Sequence, residues 1–158
     1  MRILLVRHGE AVPYDTTPVD ERRWLTERGR AGVRAVAYAL AEKGLRFTRV
    51  YTSPLVRAVQ TAEILVQHVH PACDVPVLVH VPLSAEEGSP AQALAVLDSA
   101  RPDDTVVLVT HMPKVSALAA QLSGGQRFSG FETGAACLIT RQQGSAQVEF
   151  MIDPSRLD

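Results

Sequence analysis

The chain has 158 residues, 46% of them hydrophobic, and a formal net charge of −1. That length fits one domain over 1–158, with a core that needs no disulfide or metal staple. No apolar run approaches a membrane span, the N-terminus shows no signal-peptide layout, and the near-neutral charge excludes a broadly basic surface, so a cytoplasmic protein with no nucleic-acid or membrane partner is expected.

The first element is a strand over about residues 2–8, where the apolar run Ile3–Val6 stops at Arg7-His8-Gly9. Such a run reads as a buried strand delivering polar groups to a sheet edge. In open α/β sheets the carboxyl edge is where ligands bind. Arg7 supplies a planar fork suited to phosphate oxygens, His8 an imidazole able to attack phosphorus, and Gly9 a sharp turn or close approach to a ligand. An ordinary turn with both side chains solvated fits this triplet as well.

A polar loop with Pro13, Asp15 and Pro18 follows. A helix is expected from about Thr26, its cap, to Lys43, with Val33, Val36, Ala37, Leu40 and Ala41 at helical spacing and Gly44 as its stop. A second strand lies near 48–52. In the next helix, about 54–69, Ser53 reads as the cap and Pro54 as the first helical residue. Arg57 then falls in the first turn, where it and the helix N-terminus both attract an anion. Taken in isolation, this segment is better explained as a capped surface helix with a solvated arginine.

Val75–Val81 reads as a third strand. A loop with Glu86, Glu87 and Gly88 leads to a helix near 90–99. Strand four, 105–110, ends in Thr110-His111-Met112-Pro113, and Pro113 opens another helix. A lone histidine beside a strand is more often structural. Two at equivalent strand ends, one next to an arginine, share an edge if the strands are parallel.

Strands near 135–140 and 147–152, joined by Gln142-Gln143-Gly144-Ser145, read as an edge hairpin. The whole pattern is α/β: a three-layer α/β/α domain with a mainly parallel central sheet and a C-terminal antiparallel hairpin on its edge. Leu122-Ser123-Gly124-Gly125-Gln126 spells a transporter-ATPase signature. No G-x-x-x-x-G-K-[ST] loop accompanies it, and it reads as a helix end. Cys73 and Cys137 lack metal-ligand spacing, and Cys137 reads as a buried structural thiol.

Three motifs in order resemble the histidine phosphatase superfamily, also called phosphoglycerate mutase-like: Arg7-His8-Gly9, Ser53-Pro54-x-x-Arg57-Ala58-x-x-Thr61-Ala62, and His111-x-Pro113. The small size, and the run from Asp20 through Arg23, Leu25 and Thr26 to Gly29, resemble its SixA-type phosphohistidine phosphatases. The resemblance implies a phosphatase acting through a phosphohistidine, with a phosphohistidine-bearing protein as substrate partner and phosphate or sulfate as the anion in the site. His8 would be the nucleophile, its other nitrogen donating to a backbone carbonyl. Arg7, Arg57 and His111 would surround the phosphoryl oxygens. Arginines supply the charge here, so neither metal nor cofactor is expected. Many family members supply a glutamate acid from the loop after the third strand, the SixA-like group does not, and Glu86 and Glu87 are acid candidates or equally a solvated acidic loop; Asp20 is a second acid candidate that alternatively orients Arg23 or caps a turn. A small-molecule phosphomonoesterase and a phosphate-binding module without turnover remain the other readings.

Overall fold

The computed structural model describes residues 1–72, 74–128 and 130–157; Cys73 lies outside them. Its sheet has six strands in the order β3-β2-β4-β1-β5-β6. They are β1 (Arg2–Arg7), β2 (Arg49–Thr52), β3 (Val77–Val79), β4 (Thr105–Thr110), β5 (Ala136–Gln142) and β6 (Ser145–Ile152). The four strands β3, β2, β4 and β1 run parallel. On the far side of β1, β5 pairs antiparallel and forms the expected hairpin with β6.

The helices are α1 (Glu27–Glu42), α2 (Val56–Val69), α3 (Pro90–Leu94) and α4 (Lys114–Leu122). Strand alternation sorts the core into two layers. Leu4, Val6, Val107 and Val109 face one way and pack with Val33, Val36 and Leu40 of α1 and Ala58, Ala62 and Leu65 of α2. Ile3, Leu5, Val106 and Leu108 face the other way, against Ala93 of α3 and Val115, Leu118 and Leu122 of α4. All eight strand residues are fully buried. Each contributes roughly 1.5–3 kcal/mol of apolar burial. A strand covered on both faces needs the unbroken apolar run that β1 and β4 show.

Thr26 caps α1 as expected, its hydroxyl accepting the Gly29 amide at 2.9 Å. Three elements depart from the sequence reading. The second helix starts at Val56, not Pro54, and its cap position, Leu55, makes no side-chain bond. The third strand is only Val77–Val79. Pro76 has no N–H for the ladder, and Pro82 turns the chain into a 3₁₀ helix at Val81–Leu83. The segment expected as one helix over 90–99 is α-helical only to Leu94 and 3₁₀ over Ala95–Ser99. There the Ser99 hydroxyl donates to the Val96 carbonyl, a local bond that competes with helical pairing.

Gly9 and Gly29 are where α1 meets the chain leaving β1. A Cβ on Gly29 would stand 2.1 Å from the Glu10 carbonyl oxygen, and one on Gly9 2.8 Å from a Val33 methyl. Helix packing therefore demands glycine at position 29, where the clash is with backbone, and leaves little room for a side chain at position 9.

Candidate active site

The site forms where β1, β2 and β4 end. In the parallel register Arg7 lies opposite Thr110, so His8 and His111 are the next residues out on neighbouring strands. Their ring centroids are 5.0 Å apart. On the other flank of β4, Thr52 pairs with Val109, which brings Ser53 out of the sheet beside His111. The chain then turns into α2, whose first turn carries Arg57 inward. Arg7, His8, Arg57 and His111 border one cleft, together with Asp20, Arg23, Glu86 and Glu87. All eight expected positions therefore come together.

His8 is held in one protonation form. Its Nδ1 lies 2.7 Å from the Gly9 carbonyl oxygen. A carbonyl only accepts, so Nδ1 carries the proton and Nε2 keeps its lone pair free. Burial, reinforced by the positive charges of Arg57, Arg7 and Arg23, outweighs the Gly9 bond and pushes the His8 pKa down to about 4. The imidazole is thus neutral at physiological pH. Thr61, fully buried on α2, accepts the Gly9 amide at 3.0 Å and donates to the Arg57 carbonyl at 2.7 Å. One hydroxyl ties the turn after His8 to the helix that carries Arg57. The sequence offered a signal for this, since Thr61 stands one turn after Arg57 within the second motif.

His111 is 2% exposed, and its Nε2 lies 2.7 Å from the Ser53 hydroxyl. Burial pushes its pKa down to about 3, aided by His8 and the Arg57 charge. The serine expected to cap α2 is instead a partner of this histidine.

The arginines are anchored from behind. Arg7 donates to the Phe131 carbonyl at 2.7 Å. Arg57 donates to the Asp20 carbonyl at 2.9 Å and pairs with the Asp20 carboxylate at 3.2 Å. That carboxylate also receives Arg23 at 2.9 Å. Partial burial works to raise the Asp20 pKa, but the Arg23 bond and the Arg57 charge prevail and hold it below the usual range. Asp20 thus bridges two arginines, and its bond to Arg23 is the contact that the orienting alternative of the sequence reading calls for. Arg23 also donates to Val12 and lies 3.8 Å over the Tyr14 ring.

Glu86 and Glu87 reach the cleft without a side-chain hydrogen bond or ion pair to any described residue. The backbone of their loop is fixed by Lys114, a residue the sequence reading assigned no role. Its ammonium, almost fully buried, donates to the carbonyls of Pro82, Ser84 and Glu87 at 2.8, 2.6 and 2.6 Å.

Three buried nitrogens at this site lack a hydrogen-bond partner among the described residues: Arg7 Nε, Arg57 Nε and His111 Nδ1. Buried polar groups are rarely left unpaired, and two of these belong to cations. All three belong to side chains that line the cleft beside His8. No cluster of three metal-ligating side chains occurs among the described residues. Among the described residues, no helix is long and apolar enough to cross a membrane.

Two arginines and two histidines thus meet at the carboxyl edge of an α/β sheet, the arrangement that the three sequence motifs of the histidine phosphatase resemblance call for. The chain belongs to the histidine phosphatase superfamily: the family's branch 1 model matches residues 3–80, and the fold is SixA-type. An uncharacterized protein of Picosynechococcus is 34% identical over 97% of this chain and 92% of its own. The protein histidine phosphatase SixA, solved with tungstate, superposes with a TM-score of 0.85 at 27% identity over 98% of both chains. A SixA-type protein from Agrobacterium tumefaciens shares the fold with a TM-score of 0.80 at 20% identity over 97% of both chains.

Proposed function

We propose that the protein is a metal-independent phosphatase that works through a phosphoryl group carried on His8 Nε2, with protein-borne phosphohistidine as its substrate class. In this reading the whole of 1–158 acts as one domain. The observation that carries the reading is the cradle: one imidazole nitrogen free by tautomer, facing a cleft with three buried nitrogens that lack partners. The tungstate bound by the SixA neighbour, a tetrahedral oxyanion, supports the same use of the cleft here.

The Nε2 lone pair attacks phosphorus, and the bond from phosphorus to the substrate nitrogen breaks. The leaving imidazole departs neutral because it takes up a proton first. Water then attacks phospho-His8, inorganic phosphate leaves, and His8 returns with its Nδ1 proton still on the Gly9 carbonyl. Arg7 and Arg57 neutralise oxygen charge throughout, each charge-assisted bond contributing about 1.5–3 kcal/mol. Asp20 holds Arg57 in place between turnovers.

An alkoxide leaving group would need an acid. Glu86 and Glu87 border the cleft, which is the observation favouring a small-molecule phosphomonoesterase. Neither carboxylate is held by a side-chain partner, and the short Pro82–Pro90 segment covers little, which favours the open approach of a protein substrate. Phosphate release from a phosphohistidine peptide, measured beside p-nitrophenyl phosphate, tests this. The peptide is expected to be the better substrate, and Glu86→Gln and Glu87→Gln are expected to leave its hydrolysis nearly unchanged. A loss of about a hundredfold on the peptide, the lower end of general acid effects, would move the reading to the phosphomonoesterase. Phosphate binding with no turnover of either substrate would leave a binding module.

A further inference from the structure

The Ser53 hydroxyl is fully buried and has two neighbours: it accepts the Leu55 amide at 3.2 Å and lies 2.7 Å from His111 Nε2. Its single proton must go to an acceptor. The Leu55 amide is a donor, so among the described residues bonded to this hydroxyl the acceptor is the Nε2 lone pair. If Nε2 carried the proton instead, the hydroxyl proton would be stranded in the core. A stranded buried donor is the costlier state. His111 Nδ1 is buried, lacks a partner among the described residues, and belongs to a ring lining the cleft.

We propose that Ser53 is a positioning residue that fixes His111 as its Nδ1–H tautomer, so that the cleft receives a neutral hydrogen-bond donor aimed at a phosphoryl oxygen. The proposal rests on the phosphatase reading and adds to it a proton assignment with its cause. His8 and His111 then carry the same tautomer for opposite purposes. In His8 the Nδ1 proton is spent on a carbonyl so that Nε2 attacks. In His111 the Nε2 lone pair is spent on a hydroxyl so that Nδ1 donates. Histidine tautomers are set by what the second nitrogen bonds, and here two different partners set them.

The test is the tautomer itself, read by ¹⁵N–¹H correlation spectra of the full chain carrying labelled histidine, with His111 assigned by its loss in His111→Ala. Wild type is expected to show His111 protonated at Nδ1. Ser53→Ala is expected to release it into a mixture of tautomers and to lower kcat about tenfold, as the loss of one hydrogen bond's alignment implies, with little change in KM. Ser53→Thr is expected to restore both. On the His111→Ala background Ser53→Ala is expected to cost nothing further. An Nε2-protonated His111 in wild type overturns the proposal, and that spectrum decides even if Ser53→Ala fails to fold. A folded Ser53→Ala with an unchanged tautomer overturns it as well. Inorganic phosphate is then added to wild type. An Nδ1–H signal that ignores phosphate overturns the phosphatase reading and the donor role, while leaving the tautomer lock standing.

Discussion

Replacing Thr61 with valine keeps the side-chain shape and removes one hydroxyl. In the native protein that hydroxyl accepts the Gly9 amide and donates to the Arg57 carbonyl. The carbonyl keeps its helical partner, because an α-helix assigns it the amide four residues on. The Gly9 amide is left without a partner, at a cost of about 1–3 kcal/mol. The added methyl returns about 0.8 kcal/mol of apolar burial. Taking the middle of that range, the net loss is about 1.2 kcal/mol, which for a chain of this size lowers Tm by roughly 2–5 °C. Catalysis should suffer as well. Gly9 provides both the amide that Thr61 holds and the carbonyl that orients His8. Loosening it lets the nucleophile stray, and 1.4 kcal/mol lost from transition-state alignment is about tenfold in kcat. Differential scanning calorimetry and steady-state kinetics on a phosphohistidine peptide measure the two effects. An unchanged Tm would refute the energetic reasoning. A lowered Tm with kcat intact would show that Gly9 does not steer His8.

Substitution His8→Ala is expected to abolish turnover and leave the fold intact, since His8 lies at a sheet edge, outside both core clusters; circular dichroism and a phosphate-release assay check this. Wild type mixed with substrate should carry acid-labile phosphate on His8, detectable by acid and base stability of the labelled protein. Because burial and the nearby arginines hold the folded His8 pKa near 4, below the 6.5 of a free side chain, the unfolded chain takes up this proton first. Stability from the neutral ring is therefore complete above about pH 6.5 and drains as pH falls towards 4; NMR titration of His8 in the free protein should show no protonation between pH 8 and 5. Activity is expected to survive excess EDTA, and a loss restored by added divalent ion would contradict a site charged by arginines alone.

How much of this was legible in sequence depended on the range of the forces involved. The apolar runs at Ile3–Val6 and Thr105–Val109 announce strands buried on both faces, and their polar ends at His8 and His111 announce an edge. Pairing β1 with β4 in parallel then makes those ends coincide. The residues that tune the site were harder to see. Ser53 before Pro54 has the pattern of a helix cap, and local pattern does not distinguish a hydroxyl turned to its own helix from one turned to a histidine 58 positions on. Lys114 reads as an ordinary surface lysine until the Pro82–Glu87 loop folds over it. Asp20 is the intermediate case. Its link to Arg23 is local and was foreseen as one alternative, whereas its link to Arg57 spans 37 positions and needed the fold.

The register between β1 and β4 has a consequence for when the protein becomes reactive. Arg7 and Thr110 are neighbours across a ladder whose partners are about a hundred positions apart in the chain. Contacts of that separation are slow to form, because the intervening loop must first be closed. Until β4 docks, His8 has no His111 beside it. A nascent or partly unfolded chain thus carries His8 without His111 beside it, and activity is expected to appear only after β1 and β4 have paired. Recovery of activity during refolding would then report that β1 and β4 have joined.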